Sequence, residues 1–210
     1  MKLPKSFRPD KDLEENIQRL LESEGYDQES FDSHTVEGLL MRCDDFLYEC
    51  SRQMTTPLRS VAKSVLGSAT YTKNELEVLS RSMKSDDGTN ILGFFFSELI
   101  NNIIDPTMVL NLKFNYPFDG LCAELGFGVV KIKGNVGRYL GQCMDGGSII
   151  VEGNAGSWLG HMMYNGNITV NGDADFRVGD EMKGGSIEVY GSVNSIGSRK
   201  GGSVRFNGKK

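Results

Sequence analysis

The sequence has only two histidines, one tryptophan and five prolines, and nowhere a block of basic residues. Each shortage excludes something. In a chain of net charge −5 with no lysine–arginine run, there is no electrostatic footprint for a nucleic-acid phosphate backbone. The longest apolar-rich run, Ile91 to Ile104, is broken by Ser97, Glu98, Asn101 and Asn102. It is shorter than the about 20 residues a bilayer span requires. The stretch MKLPKSFRPDKDLEEN shows no hydrophobic segment of a secretory signal. Cys43, Cys50, Cys122 and Cys143 form no Cys-x-x-Cys pair. These absences together imply a cytoplasmic chain with reduced thiols, and neither a membrane nor a nucleic-acid partner.

Catalytic signatures are also missing. The sequence contains no Gly-x-Ser-x-Gly nucleophile elbow and no phosphate loop. Gly126-Phe-Gly128 precedes a strand pattern, whereas a dinucleotide fingerprint needs its glycines after a strand and opening a helix.

What the chain has in excess is glycine, unevenly placed. Residues 1–105 hold 5 glycines, 19 acids and 12 bases; residues 106–210 hold 21 glycines, 9 acids and 11 bases. The halves therefore carry −7 and +2. Hydrophobic residues, at 39%, suffice for a buried core. Two domains are expected: a helical one at 1–105 and a glycine-repeat one at 106–210.

The glycines are periodic. Read in register, five segments begin GVVKIKG, GSIIVEG, GNITVNG, GSIEVYG and GSVRFNG. Their closing glycines, Gly134, Gly153, Gly172, Gly191 and Gly208, are spaced by 19, 19, 19 and 17 residues. Inside each segment apolar residues alternate: Val130/Ile132, Ile149/Val151, Ile168/Val170, Ile187/Val189 and Val204/Phe206. Period-two alternation of β-branched residues between glycines is a strand signal. Further on, Val136, Ala155, Ala174 and Val193 share a position, as do Leu140, Leu159, Val178 and Ile196, and Met144, Met163 and Met182. A unit this short cannot bury its apolar side alone; stacking copies of it can. No copy has the leucine-rich pattern and none repeats every six residues. The expected fold class is α+β: an N-terminal α-helical segment followed by a right-handed, single-stranded parallel β-helix, a solenoid of 17–19-residue coils.

Two copies read Gly134-Asn-Val-Gly137-Arg-Tyr-Leu-Gly141 and Gly153-Asn-Ala-Gly156-Ser-Trp-Leu-Gly160. A third keeps Gly172 and Gly179 with Asp175 at the middle glycine, and a fourth keeps Gly191 and Gly197. These ten glycines are the expected structural positions. The pattern resembles the GXGXG-motif β-helix of the C-terminal domain of the glutamate synthase large subunit, and that of the β-helical subunit of formylmethanofuran dehydrogenase. The resemblance covers residues 106–210. It implies a non-catalytic structural module with no cofactor of its own, neither flavin, iron–sulfur cluster nor metal. It implies protein partners: catalytic subunits of an oxidoreductase or amidotransferase complex, or a homo-oligomer.

The first half reads as helices. Leu13, Ile17, Leu20 and Leu21 follow helical spacing up to Gly25; a second stripe runs from Thr35 to Met54. Pro57 opens a short helix ending near Gly67, and Thr72-Lys-Asn-Glu75 is a capping box before another. A last helix, about 90–104, ends before Pro106. Between 108 and 127, Leu110/Leu112/Phe114 and Leu121/Ala123/Leu125 alternate like strands of degenerate first coils.

Partner-binding candidates are aromatic. Tyr139 and Trp158 share one coil position, followed by Arg177. Phe94, Phe95 and Phe96 are consecutive, so on a helix they cannot all face one side. An alternative reading is a small-molecule enzyme or ligand-binding protein with a site between the two halves, using residues such as His161, Asp175 or Cys143. Asp173, Asp175, Asp180 and Glu181 cluster in one coil, but the calcium nonapeptide pattern is missing.

Overall fold

A computed structural model of the chain describes residues 33–52, 58–83 and 91–208. The helix expected over Leu13–Leu21 lies outside them. Four helices come first: α1 (Ser33–Arg52), α2 (Leu58–Leu66), α3 (Lys73–Ser82) and α4 (Leu92–Ile103). Each matches an expected segment within a few residues. Thr72 caps α3 as its sequence predicts: its hydroxyl accepts the Glu75 N–H while the Glu75 carboxylate accepts the Thr72 N–H at 2.6 Å.

Six strands follow, β1 (Val109–Lys113), β2 (Val129–Lys133), β3 (Asp145–Val151), β4 (Asn165–Val170), β5 (Ser186–Val189) and β6 (Ser203–Phe206). They pair in parallel in the order of the sequence. Registered partners such as Leu110↔Val130, Val130↔Ile149, Ile149↔Ile168, Ile168↔Ile187 and Ile187↔Val204 are one coil apart. The expected parallel β-helix is therefore what forms. A second ladder runs through single bridges Val136↔Ala155↔Ala174↔Val193.

The alternating residues point inward as columns. Val130, Ile132, Ile149, Val151, Ile168, Val170, Ile187 and Val189 are all buried, and the Met144–Met163–Met182 column lines a corner of the same core. Each such side chain contributes about 1.5–3 kcal/mol on burial. Where the coils turn, backbones pass so closely that side chains are excluded. A Cβ on Gly153 or Gly191 would run into the carbonyl of Gly134 or Gly172 beneath it.

Residues 121–125 correct one expectation. Their alternation does not come from a strand. Cys122 and Glu124 take positive φ (56° and 55°), and the segment forms a turn. It is the first corner of the solenoid: Leu121 stands one coil before Leu140, and Leu125 one coil before Met144. Left-handed residues recur there at every second position (Gly120, Cys122, Glu124), the same period of two as a strand. The same corner recurs at Tyr139–Cys143 and Trp158–Met162.

The helices close the first coil. An edge strand leaves backbone groups unpaired, and here side chains supply partners. The buried Glu77 of α3 accepts the Asn111 N–H at 2.7 Å, and Ser80 Oγ accepts the Lys113 N–H at 3.1 Å. At the corner, Ser97 of α4 accepts the Ala123 N–H (3.0 Å) and donates to the Gly120 carbonyl (2.6 Å), while Asn101 Nδ2 donates to the Ala123 carbonyl at 2.9 Å. One continuous apolar core runs from Val36 in α1 to Val193. Glu77→Ala is expected to lose about 2 kcal/mol, because a partly buried edge-strand N–H loses a charged acceptor. Glu77→Gln, which keeps an oxygen there, is expected to lose less than half of that. Chemical denaturation of the three proteins measures both.

Candidate functional site

The outer corner of the β-helix brings together aromatic, cationic and histidine side chains. Tyr139, Trp158 and Arg177 occupy one position in successive coils, at φ of 61°, 65° and 59°. Bulky residues rarely adopt this left-handed backbone, and each such position costs of order 1 kcal/mol that the surrounding fold must over-determine. Here the flanking ladder does so: Tyr139 N–H donates to the Ser157 carbonyl, and Trp158 N–H to the Phe176 carbonyl. The three side chains stack outside the core. The Tyr139 and Trp158 rings lie 5.8 Å apart at 21°, and the Arg177 guanidinium sits 4.6 Å from the centre of the Trp158 ring. Tyr139 and Trp158 are half-buried and Arg177 is exposed, so all three remain presented on the wall.

His161 supports this ledge from below. Its ring meets Trp158 edge-on at 5.1 Å and Tyr139 at 6.1 Å. His161 Nδ1 donates to the Asp180 carbonyl at 3.1 Å, which fixes the Nδ1–H tautomer. The buried Asp180 carboxylate accepts the Ser198 N–H at 2.9 Å and faces Arg177 Nη1 at 3.8 Å. The nearest acid to His161 is not adjacent in sequence. Its partner is the residue one repeat later, and the 19-residue spacing from 161 to 180 was the available signal.

The phenylalanines divide. Phe95 and Phe96 are fully buried within this chain, Phe95 against Phe46 and Phe96 against Phe114 and Phe118. Phe94 alone is half-buried, and its ring occupies the space a side chain at Gly120 would need. It borders a cavity of about 260 Å³ between the helices and the first corner, with Leu58, Arg59, Glu124, Gln142 and Cys143. Arg59 is held there by Glu98 (2.7 Å) and Glu124.

Of the residues of the alternative reading, Cys143 and His161 are neighbours on adjacent coils, the Cys143 N–H donating to the His161 carbonyl at 2.9 Å, whereas Asp175 lies in another groove. Cys143 opens on that cavity, where burial, then Glu124, pushes its thiol pKa up. Burial likewise raises Cys122 to about 12, and burial with Glu49 raises Cys50 to about 11. A thiolate is the nucleophilic form, so none of the three is set up for attack at neutral pH. Asp175 turns elsewhere, accepting from Ser157 Oγ (3.1 Å) and Asn194 Nδ2 (2.7 Å) in a polar groove with Asn135, Asn154 and Asp173. In that groove the Asn135, Asn154 and Asp173 side chains each accept the backbone N–H of a residue one coil on. The acids of the 173–181 stretch are thus split between two faces. Among the described residues, no group of three or more His, Cys, Asp or Glu is placed to hold a metal ion. No helix among them is long and apolar enough to cross a membrane.

Of the ten structural glycines, Gly141, Gly160 and Gly179 repeat one left-handed position. A side chain at Gly137, Gly156, Gly172 or Gly197 would overlap the coil beneath. Fold and site together define a parallel β-helix protein capped by its own helices and bearing a stacked aromatic–cationic ledge. No protein-family model matches the sequence, and no curated protein or solved structure is significantly similar to it.

Proposed function

We propose that this chain is a non-catalytic assembly module whose Tyr139–Trp158–Arg177 ledge docks a protein partner. The observation that carries the reading is the ledge itself. Tyr, Trp and Arg are the residue types that dominate binding hot spots. Here they are pre-ordered on a rigid wall, so little side-chain entropy remains to be lost on association. The left-handed backbone that aims them outward supports a role in contact, since folding alone does not need aromatic side chains there. The GXGXG resemblance supports the same reading. It implies a scaffold in a larger oxidoreductase- or amidotransferase-type complex, or in a homo-oligomer, in the cytoplasm and without a cofactor of its own.

One observation favours a second reading, ligand binding between the two halves: the cavity bordered by Phe94, Arg59, Glu124 and Cys143. Its mixed apolar and ionic lining suits a small polar molecule.

The test is the mass of the native complex, isolated from source cells through a tag on this chain, for wild type and for Trp158→Ala and Arg177→Ala. The module reading expects a discrete assembly with wild type and about 30-fold weaker association with Trp158→Ala, both variants keeping the wild-type melting temperature within a few degrees. A monomer throughout, or an assembly indifferent to both substitutions, overturns it.

A further inference from the structure

We propose that the polar groove along the Asn135–Asn154–Asp173 column binds a linear, uncharged oligosaccharide laid parallel to the solenoid axis. The groove encloses about 380 Å³ and crosses four coils, with Asn135, Asn154, Asp173, Asp175, Ser192 and Asn194 along it. At about 4.8 Å per coil, it is about 14 Å long. A cavity of this size lies within the range of small-molecule sites. It is a different surface from the Trp158 ledge, and the inference does not rest on the docking role proposed for that ledge.

The spacing of the groove comes from the repeat. Asn135, Asn154, Asp173 and Ser192 each follow the closing glycine of a coil. Asn135 Oδ1 accepts the Asn154 N–H at 2.9 Å, Asn154 Oδ1 the Asp173 N–H at 2.8 Å, and Asp173 Oδ1 the Ser192 N–H at 2.7 Å. These bonds hold each side chain against the next coil, so little rotamer freedom remains to be lost when a ligand arrives. They also decide what each side chain still offers. Both asparagines use their oxygen on the backbone, and their Nδ2 groups donate to no described residue. An amide NH₂ has two hydrogens to give. Asp173 keeps its second oxygen as an acceptor. Asp175 is engaged at both oxygens, by Ser157 Oγ and Asn194 Nδ2, which leaves the Asn194 oxygen as a further acceptor.

The groove therefore presents amide donors in its earlier coils and acceptors in its later ones. A hydroxyl both donates and accepts, so a polyhydroxyl chain pairs with either end. Gly156 stands where Asp175 stands one coil later, which leaves the earlier half open to a ring-sized group, and the buried column Val136, Ala155 and Ala174 runs along the floor. Other linear ligands fit less well. Two carboxylates line the groove, and none of its described lining residues is a lysine or arginine, so phosphate and uronate chains are repelled. An extended peptide advances about 3.3 Å per residue, or about 6.6 Å per same-facing pair, and falls out of step with groups set about 4.8 Å apart. A straight chain of β-1,4-linked pyranose rings advances close to one ring per coil, so that successive rings meet successive amides.

Isothermal titration of the full chain with cellohexaose and with xylohexaose tests this. Saturable binding of at least one of them is expected. Asn154→Asp keeps the oxygen that the Asp173 N–H needs and removes the amide donor. It is expected to melt within a few degrees of wild type and to bind about tenfold more weakly. Asn135→Asp, which likewise keeps the acceptor for the Asn154 N–H, is expected to show a similar loss, so one variant serves if the other fails to fold. Maltohexaose, whose α-linkages curl the chain, and hexamannuronate, a β-1,4-linked polyanion, are each expected to bind at least about tenfold more weakly than the better probe. Trp158→Ala is expected to bind the oligosaccharide as wild type does. Absence of saturable binding to both probes, equal binding of maltohexaose or hexamannuronate, unchanged affinity in the folded aspartate variants, or an equal loss in Trp158→Ala each overturns the proposal. None of these outcomes depends on protein docking at the ledge.

Discussion

Replacing Gly146 by alanine is expected to destabilise the chain by about 3 kcal/mol or more, whereas Gly126→Ala, in the coil beneath, should stay within about 0.5 kcal/mol of wild type. The two glycines differ in what surrounds them and not in sequence context. A Cβ at Gly146 would overlap the carbonyl of Gly126, a backbone atom and not the end of a flexible side chain. Gly146 also donates its N–H to the Leu125 carbonyl at 3.1 Å, so it cannot back away without breaking a rung contact. Around Gly126 nothing lies within reach of an added methyl, and its backbone is not left-handed. Alanine there also reduces the freedom of the unfolded chain, a small gain. Thermal and urea unfolding of both variants checks the contrast. Similar losses at both sites would mean that the coils are not stacked at this spacing.

Phe96→Ala is the second large effect, a loss of about 3–5 kcal/mol, or roughly 10 °C in melting temperature for a chain of this size. Phe96 is fully buried where α4 meets the first coil. Its ring lies 5.0 Å from that of Phe114, edge to face, and 6.5 Å from that of Phe118, which itself packs 5.5 Å from Phe114. Such aromatic pairs contribute beyond their buried area. Because the ring joins cap and solenoid, the loss is expected in one cooperative transition monitored by both helix and sheet signals. Phe94→Ala, trimming a half-buried ring at a cavity edge, is expected to lose less than half as much. Two separate transitions, with only the helical one displaced by Phe96→Ala, would contradict the continuous core.

Much of this fold could be read from residue spacing, for a physical reason. A stacked coil repeats its environment, so every constraint is written several times. Ile149, Ile168 and Ile187 meet the same surroundings one after another, and the repeat length follows at once. The helices of the first half were legible from local signals: a capping box at Thr72, an apolar stripe from Val36 to Phe46. The function of the cap was less so. Glu77, Ser80 and Ser97 look like ordinary polar residues in helices, and nothing local says that they face the first coil's edge strand and corner more than twenty residues away.

The site was half visible. The shared coil position of Tyr139, Trp158 and Arg177 could be found by register, and the structure shows them stacked outside the core. Their left-handed backbone could not be foreseen, because glycine is the residue expected there and aromatics are the exception. Leu121–Leu125 misled for a related reason: a corner with positive φ at alternate residues imitates a strand's period of two.

The most direct test of the stacked-coil account is a disulfide scan along the outer wall, with the half-exposed Cys50 and Cys143 replaced by serine. Thr169 and Glu188 are registered neighbours on adjacent coils, about 4.8 Å apart and inside the range a disulfide can bridge. Ile150 and Glu188 are separated by one further coil, about 9.6 Å. The account predicts that Thr169→Cys/Glu188→Cys cross-links under mild oxidation while Ile150→Cys/Glu188→Cys stays reduced. Failure of Thr169→Cys/Glu188→Cys to cross-link, or ready cross-linking of Ile150→Cys/Glu188→Cys, would contradict it.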